Sequence, residues 1–137
     1  PASRLAQLAR YGKPLGVAFQ LRDDVLGTFG DPAITGKPIG NDIRQGKRTA
    51  LVAEMLEDPS SRHVLDRALG RADAADGDVR AVMAAMESAG ARTRVEARIS
   101  HLLGEARLAL DGLELARDGV SYAWLSGAIR ALGERSM

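Results

Sequence analysis

The stretch Phe19–Arg48, FQLRDDVLGTFGDPAITGKPIGNDIRQGKR, sets two adjacent aspartates, Asp23 and Asp24, ahead of a segment rich in glycine and proline, with Lys37 and Lys47 in and after it. Read as a helix from Phe19 to Leu26, side chains three and four apart share a face, so Asp23 sits above Phe19 and Gln20. Asp24 then falls one turn beyond Gln20. An isolated pair of acids on a helix is by default a solvated face. The loop and lysines behind this pair suggest something more specific. Magnesium takes oxygen ligands, keeps several waters, and is held by one or two carboxylates together with substrate phosphates. A glycine-rich loop with Lys and Arg close behind supplies the phosphate side.

The cations sharpen this reading. Of nineteen basic residues sixteen are Arg, and the three lysines are Lys13, Lys37 and Lys47. An ammonium is a compact point charge and a guanidinium a flat fork, so the two are not equivalent toward phosphate. Two of the three lysines fall inside the one stretch.

Outward from it, the chain of 137 residues reads as all-helical. Strand alternation is absent and aromatic residues make up 4%. A helix is expected from Ser3 to about Phe29, with Pro14 kinking it or marking its restart, and Gly30-Asp31-Pro32 ending it. Gly36, Pro38 and Gly40 make a loop. Helices are expected over Arg48–Glu57, near Ser61–Leu69, and over Val79–Ala89, Ala91–Leu113 and Tyr122–Leu132. The acidic run ADAADGD, Ala72–Asp78, reads as a solvated turn. No repeat or linker is visible, so one packing unit over 1–137 is expected. Met55, Met83 and Met86 are expected in the core. Tyr122 and Trp124 are expected to anchor the last helix against the body or a partner subunit. Arg92, Arg94 and Arg98 read as a solvated face, and His63 and His101 as surface or packing residues.

Composition excludes several classes. There is no cysteine, so thiolate metal sites and thiol nucleophiles are out, and two distant histidines argue against a histidine metal site. A net charge of +1 argues against nucleic-acid binding as the main role. No stretch of about 18 apolar residues is present, so no membrane span is expected. The first ten residues lack an apolar signal core. Secretion is therefore not indicated, and a cytoplasmic location is expected.

GVAFQLRDDVLGTFGDPAITGKPIGNDIRQGKRTALV resembles the second aspartate-rich region of the trans-isoprenyl diphosphate synthases, or polyprenyl synthetases. The elements FQ, DD, GD, GKPIGND and GKRT occur in order. The resemblance covers about Leu15–Val52 closely, and the rest agrees in being helical. It implies a bundle of long helices around a deep cavity. It also implies a transferase of isoprenoid biosynthesis, of geranylgeranyl or farnesyl type. Such an enzyme condenses an allylic diphosphate with isopentenyl diphosphate through Mg2+-assisted ionisation to an allylic carbocation. By the same resemblance Asp23 ligates metal, and Asp24 ligates or supports it. Lys37 and Lys47 contact the allylic diphosphate, while Phe19 and Gln20 line the site near the reacting carbons. Members are commonly homodimers. No role is implied for Arg22.

Two departures stand out. The family's second motif is DDxxD, and here Gly27 takes the third acidic position; relatives with the DDxxG form remain synthases. The first aspartate-rich motif and its arginine pair do not occur in these residues. The expectation is that 1–137 is the C-terminal portion of a single synthetase domain, inactive as an isolated fragment. The alternative is a catalytically silent homologue that acts as a binding or regulatory subunit.

Overall fold

The computed structural model describes residues 3–134. Among them there is no strand. Eight α-helices follow in order: α1 Arg4–Phe29, α2 Pro32–Thr35, α3 Asn41–Arg44, α4 Ala50–Leu56, α5 Pro59–Arg62, α6 Asp76–Ser88, α7 Ala91–Gly112 and α8 Val120–Glu134. A 3-10 turn, His63–Arg67, continues α5. The class is all-α, as the apolar spacing predicts. Of the described residues, 3–22 together with 97–134 form one compact unit, and 23–96 form a second.

In the first unit Tyr11, Ala106, Leu110, Leu113 and Ile129 form a buried cluster, with Leu15, Leu103, Tyr122 and Leu125 packed against it. Each large apolar side chain removed from water stabilises by about 1.5–3 kcal/mol. The Tyr11 hydroxyl donates to the Leu125 carbonyl at 2.8 Å, so its polar end is satisfied inside an apolar cluster. Pro14 lies inside α1 and does not restart it. The buried residues Tyr11, Ala18 and Leu21 flank it on both sides, and their packing outweighs the missing amide donor. Tyr122 packs against the buried cluster, as expected of an anchor to the body, whereas Trp124 is 76% exposed.

In the second unit Leu51, Val52 and Met55 of α4, Leu65 of the 3-10 turn, and Val79, Val82 and Met86 of α6 are buried, each 2% exposed or less. Met83 is only partly buried. Thr49 caps α4 by accepting from the Val52 amide at 3.2 Å. Asp58 caps α5 by accepting from the Ser60 amide at 3.1 Å. The acidic run is not a free turn. α6 begins at Asp76, three residues ahead of the expected start, and carries Asp76 and Asp78 in its first turn, where the helix dipole favours negative charge. Asp76 pairs with Arg44, and Asp78 accepts from Arg67 at 2.7 Å. Nor are the arginines of α7 only solvated. Arg92 lies 4.4 Å from the Phe29 ring centroid and pairs with Glu87, and Arg94 pairs with Glu54. His63 and His101 are exposed, the latter 3.1 Å from Glu105.

The loop expected between Gly30 and Arg48 contains the single-turn helices α2 and α3. Asp31 accepts from the Ala33 amide at 2.9 Å and starts α2, with Pro32 at its first position. Gly40 starts α3 with φ +60, and a Cβ there would lie 2.3 Å from a Val79 methyl. Only glycine allows both that backbone and that approach. The Gly70 amide donates to the Ile43 carbonyl at 2.8 Å, tying α3 to the turn that follows the 3-10 segment.

Candidate functional site

The last two turns of α1 carry Asp23, Asp24 and Gly27, and the short segment 47–49 leads from α3 to the cap of α4. The Lys47 amide donates to the Asp42 carbonyl at 3.0 Å, and the Thr49 amide donates to the Lys47 carbonyl at 3.0 Å. These bonds fix the Lys47 backbone. Its ammonium then sits between two carboxylates, with Nζ 3.4 Å from Asp24 Oδ1 and 3.7 Å from Asp42 Oδ2. Asp24 Oδ2 accepts from the Ala50 amide at 3.2 Å, satisfying a donor at the start of α4.

Asp24 and Asp42 are 5% and 7% exposed, so each charge needs a partner. Asp42 Oδ2 makes no hydrogen bond, and Lys47 is its ion-pair partner. Burial raises the Asp42 carboxyl above its ordinary range. Lys47 and Lys37 oppose that rise, and Asp24 and Asp23 add to it. Burial pulls the Lys47 ammonium down, but Asp42, Asp24 and Asp23 together outweigh it and leave its pKa raised. Lys47 is therefore held charged.

Asp23 and Lys37 are exposed, and both act electrostatically on Asp42. Four residues singled out in the sequence, Asp23, Asp24, Lys37 and Lys47, thus share one electrostatic neighbourhood in the second unit. Phe19 and Gln20 lie on α1 four and three residues ahead of Asp23, and both are exposed. Asp42 is not among the expected site residues. Its signal in the sequence is an acid five positions ahead of Lys47 in a segment bounded by glycines.

Gly27 has a local reason. A Cβ at this position would meet Asp42 Oδ2 at 2.1 Å and Cγ at 2.5 Å, far inside van der Waals contact. The space that a side chain at 27 would enter is filled by the Asp42 carboxylate.

Among the described residues, no group of three or more His, Asp or Glu side chains is arranged to hold a metal ion. A cation caged by protein alone is therefore not built here. One or two carboxylates completed by phosphate and water is the mode magnesium prefers. The hard oxygen donors of Asp23 and Asp24, the exposed position of Asp23 and the unbonded Asp42 Oδ2 fit that mode. Among the described residues no helix is long and apolar enough to cross a membrane.

The chain belongs to the polyprenyl synthetase family, whose match runs over residues 1–86. It is 36% identical over 100 residues to the geranylfarnesyl diphosphate synthase of Aeropyrum pernix, covering 73% of this chain and 31% of that protein. It is 42% identical over 88 residues to the geranylgeranyl diphosphate synthase of Mycobacterium tuberculosis, covering 63% of this chain and 25% of that one. Among solved structures, a geranylgeranyl pyrophosphate synthase from Corynebacterium glutamicum, complexed with isoprenyl diphosphate and magnesium, superposes with a TM-score of 0.86 at 37% identity. That superposition covers 98% of this chain and 39% of the other. The chain thus spans about a quarter to a third of the length of these two curated relatives.

Proposed function

We propose that the chain is the C-terminal part of a prenyltransferase that joins an allylic diphosphate to isopentenyl diphosphate, and that its residues bind the diphosphate that leaves. The observation that carries this is the Lys47 ammonium held charged by Asp24 and Asp42, beside the exposed Asp23, in a chain of this family. The named activities of its relatives support the reaction class.

Asp23 is the direct magnesium ligand in this reading. Asp24 supports it, since its oxygens already meet Lys47 and the Ala50 amide. Magnesium bound there supplies Lewis-acid neutralisation of diphosphate charge. Lys47 and Lys37 present ammonium groups to diphosphate oxygens whose charge grows as the allylic C–O bond breaks. They therefore stabilise the transition state more than the ground state. Lys47 enters this role without reorganisation, because its amide, carbonyl and ammonium are all fixed beforehand. The Gln20 carbonyl dipole and the Phe19 ring face stabilise the allylic cation, the aromatic part by about 0.5–2 kcal/mol. The double bond of isopentenyl diphosphate attacks that cation, and the released diphosphate takes the proton lost afterwards. No protein nucleophile is used. A homodimer is the assembly the family resemblance supports, and a cytoplasmic setting is part of the same proposal.

The relatives are three to four times longer than the matched part, so these 137 residues are proposed not to turn over substrate by themselves. The test is calorimetric binding of inorganic pyrophosphate to the chain with and without magnesium. Magnesium-dependent binding that Lys47→Ala weakens by roughly tenfold or more is expected. Binding indifferent to both magnesium and Lys47 overturns the proposal. Turnover of labelled isopentenyl diphosphate by the 137-residue chain overturns its second part.

A further inference from the structure

We propose that Asp42 is the residue that positions Lys47, and that Gly27 is required on α1 because it leaves room for the Asp42 carboxylate. The Lys47 part deepens the diphosphate reading and rests on it, while the Gly27 part stands on packing alone.

Four observations converge. Asp42 holds Lys47 at two points, through its carbonyl to the Lys47 amide at 3.0 Å and through Oδ2 to the ammonium at 3.7 Å. Asp24, on α1, holds the same ammonium from the other side at 3.4 Å. Asp42 is buried on a four-residue helix, and the bond from the Gly70 amide to the neighbouring Ile43 carbonyl, 2.8 Å, ties that helix down. The approach of its carboxylate to α1 leaves a Cβ at residue 27 only 2.1 Å from Oδ2. No rotation of a Cβ relieves such a clash, because the Cβ is fixed by the helix backbone. The carboxylate must move instead, and Lys47 loses one of its two anchors when it does.

Glycine inside a helix ordinarily costs about 1 kcal/mol relative to alanine, so Gly27→Ala taken alone should stabilise α1. The close approach of Asp42 reverses that sign. The coupling is specific to the carboxylate, since all three atoms nearest the added Cβ belong to it. In an Asp42→Ala background those atoms are gone, and the ordinary preference for alanine at position 27 returns.

The experiment is a cycle of the parent chain, Gly27→Ala, Asp42→Ala and the double variant. It is read by thermal unfolding and by affinity for inorganic pyrophosphate at saturating magnesium. Gly27→Ala alone is expected to lower Tm by roughly 3–6 °C, and in the Asp42→Ala background to leave Tm level or raise it. An equal loss in both backgrounds overturns the steric link. If Gly27→Ala alone does not fold, recovery of folding in the double variant supports the link and failure to recover overturns it. Asp42→Asn, which keeps the shape and removes the charge, is expected to retain the parent Tm within a few degrees and to bind pyrophosphate roughly tenfold more weakly. Unchanged affinity in that variant overturns the positioning role. A parent that binds no pyrophosphate overturns the positioning role with the diphosphate reading, and the Tm cycle still decides the Gly27–Asp42 pairing separately.

Discussion

Arg22 donates through Nε to the carbonyl of Leu132 at 3.3 Å, linking residues 110 positions apart in the chain. The arginine is only 6% exposed. A guanidinium so buried needs hydrogen-bond acceptors, and the Leu132 carbonyl on α8 supplies one. This bond staples the first and last long helices within one unit. Arg22→Met, which fills similar volume without donors, is expected to cost about 1–3 kcal/mol in urea unfolding. Retention of full stability would show the contact to be incidental.

The Tyr11–Leu125 contact gives a pH dependence. Burial raises the Tyr11 pKa above the ordinary 10.0, and Arg107 partly opposes it. The folded chain therefore keeps a proton that the unfolded chain releases. The stability from this group is fully present below about pH 10 and is lost as pH rises through the folded value. Tyr11→Phe should cost about 1 kcal/mol at neutral pH. The difference between parent and variant should then shrink steadily in alkaline solution. A constant gap between about pH 8 and pH 11 would argue that the hydroxyl is not held as described.

Arg92 over the Phe29 ring, 4.4 Å from its centroid, predicts a measurable coupling. The Arg92→Ala and Phe29→Leu pair should show a coupling free energy of about 0.5–1 kcal/mol in a double-mutant cycle. The Arg92–Glu87 ion pair is at the surface and should contribute less, with the greater sensitivity to salt. Strictly additive single losses would remove the ring contact from the account of stability.

The long helices are legible in the sequence because they carry period. α1 ends at Phe29 where Gly30 and Pro32 follow it, and α7 ends at Gly112, one residue short of the expected Leu113. The single-turn helices α2 and α3 are too short for any period, and their caps at Asp31 and Gly40 are the only local trace. Arg22 is legible in principle. It lies four residues from Ala18 and eleven from Tyr11, on the stripe that is buried, and a charge on such a stripe predicts a buried acceptor. Asp42 is not legible by spacing. Its meeting with Gly27 spans fifteen positions and two helices, and neither residue alone signals the other. By motif Gly27 is a missing acid, whereas in the structure it is a place another acid enters.

Trp124 has a practical consequence. It is the one indole in the chain and stands 76% exposed on α8. Its fluorescence therefore samples bulk solvent before and after denaturation and tracks melting of the interior poorly, so the unfolding measurements above are better followed by circular dichroism. The same fluorophore gives a label-free sensor of anything that settles over that side of α8, through a blue shift as water is displaced from the ring.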